Sequence, residues 1–210
     1  QDERHREQVE TWSGPAQTRD KVPVSLLANV QDENTIEEAC HAMVDGVGLF
    51  RTELCFINRS VEPSVDEQAG IYEKVFRAFG NRVAIRTLDS GSDKPLKFAH
   101  TGREENPALG MRGVRIGLQN EDLLIRQLDA IAEGARQAGL PSDTAPRVMA
   151  PMISRVSEAR RFAAMVRERG LVPGIVVEVP ATAIMAEMFM REVDFLSLIH
   201  ISEPTRLGMI

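Results

Sequence analysis

The sequence has little cysteine, and its cysteines show neither the pattern of a metal site nor that of a disulfide framework. Cys40 and Cys55 are the only two among 210 residues, and neither belongs to a Cys-x-x-Cys pair. A small disulfide-dependent scaffold and a cysteine-based zinc site are therefore not expected. A reducing cytoplasmic environment fits this composition best.

Long apolar runs and an excess of positive charge are also missing. No run approaches the roughly 20 apolar residues that span a bilayer, and the first stretch, QDERHREQVETW, is too charged for a signal peptide. The 25 Lys and Arg residues are outnumbered by 31 Asp and Glu residues, which gives a net charge of -6. We therefore expect no membrane insertion and no general nucleic-acid surface.

What the sequence does contain is an alternation of short β-branched runs with longer segments of helical spacing. The runs lie at 22–30, 46–50, 82–88, 147–152, 174–179 and 193–198, and the helical segments at 34–45, 65–80, 121–139, 154–170 and 181–192. Such alternation is typical of right-handed βαβ units in a parallel sheet, either open and doubly wound or closing into a barrel. No GxGxxG or GxxxxGK[ST] sequence follows the first run, so a partial (β/α) barrel of six strands is the better prediction.

Several details of the helical segments follow from spacing alone. Asn34 is the expected N-cap of the first helix, and Cys40 and Met43 lie on its apolar face. In the last segment three methionines are expected to pack in the core: Met185, Met188 and Met190.

The carboxyl ends of the strands are where a barrel of this kind places its active site. Arg51 ends the second run, Arg86 lies near the end of the third, and Glu178 ends the fifth. Arg112 follows the third run in ENPALGMRGVR. Because side chains alternate along a strand, Arg51 shares a face with Val47 and Leu49, and Arg86 shares one with Ala84 and Leu88. Both arginines can then point inward at the mouth of the barrel.

Converging arginines indicate a small ligand with several negative charges, because guanidinium groups hold phosphate and carboxylate oxygens in a bidentate fork. Glu178 is a candidate metal ligand, and Mg²⁺ is favoured because it combines carboxylates with substrate phosphates. Other interpretations stay open on spacing alone. Arg51 can instead form an ion pair with Glu53 or another carboxylate, Arg115 can be structural, and a single glutamate indicates a metal only weakly.

Five stretches occur in the order and spacing of a known family: GVGLFRTELCF, RTLDSGSDKPL, EENPALGMRGVRI, RVMAPMIS and GIVVEVPA. Over roughly residues 22–197 they resemble the C-terminal domain of enzyme I of the phosphoenolpyruvate (PEP):sugar phosphotransferase system, a PEP-utilising enzyme. The resemblance implies a PEP-binding (β/α)8 TIM barrel, of which this chain holds about strands one to six. Residues 1–21 are then expected to be a linker or helical tail of a preceding domain.

The resemblance also implies roles for particular residues. Arg51 in GLFRTE, Arg86 in RTLD and Arg112 in LGMRGVR correspond to the arginines that hold PEP, and Glu178 in VVEVPA to one of two Mg²⁺-binding carboxylates. The implied activity is transfer of the PEP phosphoryl group to a histidine of an N-terminal domain and then to the carrier protein HPr, in the service of sugar transport. A homodimer is also implied. The alternatives are a PEP synthase, a pyruvate phosphate dikinase or a non-catalytic PEP-sensing module.

The resemblance ends at Leu198. Family members continue there into a Gly-Thr-Asn-Asp stretch, whose aspartate is the second Mg²⁺ ligand, whereas this sequence reads LIHISEPTRLGMI. We therefore expect residues 198–210 to be non-native. The second metal ligand, the proton-donor cysteine and the phosphoryl-accepting histidine are expected outside this chain, which leaves no catalytic residue within it and predicts that the chain alone is inactive.

Overall fold

The computed structural model describes residues 16–57, 59–91, 96–98, 104–106, 109–141 and 143–198. Within these ranges six strands form one sheet: β1 (Leu27–Val30), β2 (Gly46–Arg51), β3 (Val83–Arg86), β4 (Arg147–Ala150), β5 (Val172–Val177) and β6 (Phe195–Leu198). The strands are hydrogen-bonded in chain order, and every neighbouring pair is parallel. Leu27 of the first strand and Phe195 of the last line the same cleft of about 390 Å³, which shows that the sheet curls. The predicted α/β partial barrel is confirmed.

Helices connect the strands on the outside of the curl. They are α1 (Glu33–His41), α2 (Glu53–Phe56), α3 (Val65–Phe79), α4 (Val114–Gln119), α5 (Glu121–Gln137), α6 (Val156–Arg167), α7 (Pro180–Ile184) and α8 (Ala186–Met190). The short α2 and α4 were not predicted, and the last predicted helix is divided in two at Met185. The helix α3 begins at a capping box, in which the Ser64 side chain accepts from the Glu67 backbone and the Glu67 side chain accepts from the Ser64 backbone.

The main core lies between the sheet and the pair formed by α3 and α5. Phe50 of β2 meets Tyr72 of α3 edge to face, with the ring centroids 6.1 Å apart. Leu128 and Ile131 of α5 are fully buried in the same core. Because Phe50 and Ile85 face these helices, the alternate positions on β2 and β3 face the inside of the curl.

Several local predictions are wrong. The N-cap of α1 is Asp32 and not Asn34, since the Asp32 carboxylate accepts a hydrogen bond from the Thr35 amide at 2.8 Å. Cys40 is exposed, and Met43, which is 65% exposed, lies beyond the end of the helix at His41.

The first strand and the last helical segment also differ from expectation. The strand β1 begins at Leu27, so that residues 22–26 lie outside it. Met188 and Met190 are about half exposed. The helix is divided at Met185, which changes the helical phase, and the fully buried residue of α8 is Phe189.

The domain boundaries after residue 21 and before residue 198 stay predictions, and residues 1–15 and 199–210 lie outside the described ranges. In the part of the chain that is described, no helix is long and apolar enough to cross a membrane.

Alanine substitutions at two helical glycines are expected to change the free energy of unfolding in opposite directions. A Cβ at Gly134 of α5 would stand 2.8 Å from both the Ala69 carbonyl oxygen and the Tyr72 Cβ of α3, whereas a Cβ at Gly70 would meet nothing within 4 Å. Gly134→Ala is therefore expected to lower the free energy of unfolding by about 1–3 kcal/mol. Gly70→Ala is expected to raise it by about 0.5–1 kcal/mol through the loss of backbone freedom in the unfolded chain. Urea unfolding followed by circular dichroism checks both, and changes of the same sign would contradict this account of the α3–α5 contact.

Candidate functional site

Two of the predicted arginines are neighbours at the carboxyl rim of the sheet. Arg51 ends β2, Arg86 ends β3, and the two are register partners in the parallel ladder. Side chains of register partners project from the same face of a sheet, and neighbouring strands lie roughly 4.8 Å apart. Arg51 is exposed and makes no ion pair with any described residue, whereas Arg86 is only 9% exposed. The rim therefore carries one exposed and one buried guanidinium group side by side.

The buried arginine is held by two buried carboxylates. Nη2 of Arg86 donates to Oε1 of Glu53 at 2.6 Å, and Oδ2 of Asp89 lies 3.8 Å from the same nitrogen. Glu53 begins α2 directly after β2, so it pairs across the ladder with Arg86 and not with Arg51, as one interpretation of the sequence had allowed. A buried charge requires such partners. Nε of Arg86 is buried and has no hydrogen-bond partner among the described residues, so one donor of this arginine is still available.

Asp89 joins the third arginine, Arg112, to Arg86. Oδ1 of Asp89 accepts from Nε of Arg112 at 3.0 Å, and Oδ2 accepts from Nη2 at 3.3 Å, which is a bidentate contact. The loop that carries Arg112 is tied to the strand end where the Gly113 amide donates to the Ser90 carbonyl at 2.9 Å. Gly113 has φ 57°, a conformation that glycine adopts at little cost. Arg112 therefore lies at the same rim although 25 residues separate it from Arg86 in the sequence.

Glu178 follows β5 directly and faces the same group of charges. Its Oε1 accepts a hydrogen bond from the Met152 amide at 2.6 Å, and Met152 has a positive φ of 59°, which is unusual for a residue with a side chain. Burial raises the pKa of Glu178 above its usual 4.5, and the charge of Asp89 raises it further. The Met152 hydrogen bond and the charges of Arg86 and Arg112 act in the opposite direction. Glu178 thus interacts electrostatically with three of the rim residues.

The carboxylates at the rim supply part of the ligand set that a magnesium ion needs. No group of three or more His, Cys, Asp or Glu residues within the described ranges could hold a metal ion by itself. Mg²⁺, however, is commonly bound through one or two carboxylates together with waters and substrate phosphates. A carboxyl group whose pKa is raised mainly by burial is stabilised in its charged form by a cation placed beside it. Glu178 has these properties, and Asp89 adds a second negative charge nearby.

The structure also shows roles that sequence reasoning missed. Glu53 and Asp89 were not singled out as site residues, although both follow a strand-end arginine by two or three positions. Arg115, by contrast, is structural, since it donates to the carbonyl groups of Gly110 and Met152. Cys55 is buried, and burial raises the pKa of its thiol to about 12, so it is a poor proton donor or nucleophile. The predicted SGSDK turn falls mostly outside the described residues.

A curled parallel sheet with arginines and carboxylates paired at its carboxyl rim defines an α/β barrel segment with a charged strand-end site. Residues 5–199 match the family model described as the PEP-binding domain of PEP-utilising enzymes. The chain belongs to this family. The predicted family membership is confirmed.

Relatives with assigned names match most of this chain. It is 44% identical over 190 residues to a phosphoenolpyruvate-protein phosphotransferase of Streptomyces coelicolor, covering 89% of this chain and 34% of the relative. It is 40% identical over 192 residues to a multiphosphoryl transfer protein of Rhodobacter capsulatus, covering 88% and 22% respectively. A phosphoenolpyruvate-protein phosphotransferase of Geobacillus stearothermophilus is 34% identical over 195 residues, covering 86% and 33%. The chain thus spans about a third or less of the length of these relatives.

Removal of the Glu53 charge is expected to destabilise the protein strongly. Glu53→Gln leaves the buried Arg86 without its nearest anion and should lower the free energy of unfolding by about 3 kcal/mol. Glu187→Gln is the matched control, because Glu187 forms an ion pair with Arg191 in which both side chains are mostly exposed, and it should leave stability unchanged within error. Equal effects of the two substitutions in urea unfolding would contradict a buried structural role for Glu53.

The titration of Glu178 provides a test of the site's electrostatics. Its carboxyl ¹³C shift should titrate above pH 4.5, and Asp89→Asn should lower the midpoint because it removes a neighbouring negative charge. Between 4.5 and the raised pKa the folded protein binds more protons at this group than the unfolded chain does, so the group's contribution to stability falls as the pH rises. Asp143→Asn, before β4 at the opposite rim, is the control. A midpoint at or below 4.5, or an equal effect of both substitutions, would be inconsistent with this assignment.

Proposed function

We propose that this chain is part of the PEP-binding barrel of a phosphoenolpyruvate-protein phosphotransferase of the sugar phosphotransferase type. Arg51, Arg86 and Arg112 hold the substrate, and Glu178 is a ligand of Mg²⁺. The observation that carries the proposal is the meeting of the three arginines at one rim, through the Arg51–Arg86 ladder pair and the Asp89 bridge to Arg112. The names of the Streptomyces and Geobacillus relatives support the same activity.

The rim suits the chemistry of PEP, which carries a phosphate and a carboxylate on a three-carbon enol. Arg51 is exposed and without an ion-pair partner among the described residues, so its guanidinium group can approach an anion without breaking a contact. Nε–H of Arg86 has no hydrogen-bond partner among the described residues, and its Nη2 is held by Glu53 at 2.6 Å with Asp89 at 3.8 Å. Donors that are fixed before the ligand arrives lose little entropy when they bind it.

The proposed reaction breaks the P–O bond of PEP and forms a P–N bond to a protein histidine. The enolate of pyruvate that leaves takes up a proton at carbon to give pyruvate. A loose, metaphosphate-like transition state requires positioning and positive charge more than covalent assistance, and the three arginines supply both. Glu178 holds Mg²⁺, which when bound neutralises charge on phosphate and enolate oxygens. The histidine and the proton donor are predicted to lie outside this chain.

The partners follow from the same proposal. The phosphoryl group passes from the histidine to the HPr carrier protein, the active protein is a homodimer, and the setting is the cytoplasm. A PEP synthase or a pyruvate phosphate dikinase is the closest alternative enzyme, and a non-catalytic PEP-sensing module is the alternative outside catalysis. All of these share the arginine rim, so they differ in what happens after PEP has bound.

Calorimetric titration with PEP, with and without Mg²⁺, tests the binding step. Wild-type protein should bind PEP more tightly when Mg²⁺ is present, and Arg51→Ala should weaken binding by about tenfold to a hundredfold, because hydrogen bonds to charged groups contribute about 1.5–3 kcal/mol. Arg191→Ala is the control, since this exposed arginine precedes β6 at the opposite rim. Unchanged affinity in Arg51→Ala, or equal losses in both variants, would contradict the assignment.

A chimera tests the transfer step. Residues 22–197 of this chain replace the matching stretch of the Streptomyces coelicolor relative, and pyruvate release from PEP is measured in the presence of HPr. Turnover that requires HPr and is lost in the Arg51→Ala chimera supports the proposed activity. A folded chimera that binds PEP without turnover favours the sensing module.

A further inference from the structure

A buried polar network lies directly behind the arginine rim, with Gln127 of α5 at its centre. Gln127 is 2% exposed, and Thr52 and Tyr72 are completely buried. Nε2 of Gln127 donates to Oγ1 of Thr52 at 3.1 Å and to the Tyr72 hydroxyl at 3.3 Å. Oε1 of Gln127 accepts from the Leu88 amide at 3.0 Å, and Oγ1 of Thr52 donates to the Arg86 carbonyl at 3.0 Å.

Beyond the end of β3, hydrogen bonds of this network replace those of the sheet ladder. The strand β3 stops at Arg86, and the chain then turns away towards Asp89. The Thr87 amide still donates to the Met149 carbonyl of β4 at 3.0 Å, but the Leu88 amide bonds to Gln127 instead of to a strand. Leu88 accordingly lines a small cavity beside α5 with Leu123, and it does not share the face of Arg86 as alternation had predicted.

The backbone on both sides of Thr87 is thus attached to one helix side chain. Gln127 holds the Leu88 amide directly and the Arg86 carbonyl through Thr52. Arg86 and Asp89 stand at the two ends of this four-residue stretch, and Asp89 in turn holds Arg112. A displacement of the stretch would therefore move two of the three rim arginines together.

We propose that Gln127, acting through Thr52, is a positioning residue that sets the place of Arg86 and Asp89 at the rim. The inference rests on the proposed function only for the identity of the anion, PEP. The hydrogen bonds of Gln127 go to Leu88, Thr52 and Tyr72 and to none of the charged rim groups, so its effect on them passes through the backbone. The role requires the amide and the hydroxyl, whereas a role in packing would require only their volume.

The chain offers a matched control for Gln127. Gln68 of α3 is also a fully buried glutamine, and its Nε2 donates to the Pro63 carbonyl at 3.0 Å. Pro63 lies in the loop before α3, Gln68 makes no hydrogen bond to residues 86–89, and Oε1 of Gln68 has no partner among the described residues. Leucine at either position keeps the side-chain volume and removes a buried amide, so both substitutions are expected to lower the thermal stability.

The first experiment compares the ligand-free Arg86 Nε–H resonance in NMR spectra with the calorimetric affinity for PEP. In Gln127→Leu the resonance should shift and the affinity should fall by about tenfold, the effect of leaving a buried group at the site without its hydrogen bond. In Gln68→Leu both should match the wild type although stability is lowered. An unchanged resonance and affinity in folded Gln127→Leu would overturn the proposal.

The second experiment uses Thr52, where packing and hydrogen bonding make opposite predictions. Thr52→Val keeps the shape and removes the hydroxyl, whereas Thr52→Ser keeps the hydroxyl and removes the methyl group. Positioning through the hydroxyl predicts that the serine variant retains the wild-type resonance and affinity and that the valine variant loses them. The reverse order would overturn the proposal. This pair also decides the question if Gln127→Leu fails to fold.

The same measurements distinguish a failure of the proposed function from a failure of the positioning role. If the wild-type chain binds no PEP at any Mg²⁺ concentration, the proposed function is overturned, and the positioning role is judged on the Arg86 resonance alone. A shifted resonance in Gln127→Leu and Thr52→Val, with none in Gln68→Leu and Thr52→Ser, then supports the positioning role. Any other pattern overturns it.

Discussion

The buried guanidinium group of Arg86 is the constraint on which the rest of the rim depends. A charge removed from water has to be paired, and the chain supplies Glu53 from the element after β2 and Asp89 from the element after β3. Glu53 thereby fixes the start of α2, and Asp89 fixes Arg112 and the loop that carries it. Segments that are far apart in sequence thus meet at the end of one strand.

The sequence was sufficient to predict the order of strands and the rim, because both follow from local patterns. Alternating runs determine a parallel α/β sheet, and strand-end positions place Arg51, Arg86 and Glu178 at one edge. The partner of Arg86 could not be predicted in the same way, because Glu53 is two positions from Arg51 in sequence whereas the arginine it pairs with lies across the ladder. The role of Gln127 could not be predicted either, because Gln127 lies 75 positions from Thr52 in the sequence. The apolar periodicity of its helix also carries no information about a buried amide.

The errors in the helical segments have a common physical origin. Spacing was extrapolated through residues where the backbone changes direction, at the end of α1 and at the division between α7 and α8. Met43, Met188 and Met190 consequently lie on exposed surface although they fit an apolar periodicity. Periodicity identifies the face of a helix only as far as the helix continues, and neither helix end carries a glycine or proline stop signal after its last residue.

The carboxylates that fix the arginines also shape what the rim can bind. Glu53 and Asp89 offset the charge of Arg86 and Arg112, so the rim contributes less net attraction to an anion than three free arginines would. Asp89 at the same time raises the pKa of Glu178, which is already raised by burial. A divalent cation beside Glu178 would relieve this repulsion and restore the positive charge that an anion with several charges requires. If Glu178 holds a cation as proposed, the same carboxylates that hold Arg86 in place would make the rim favour an anion that binds together with that cation.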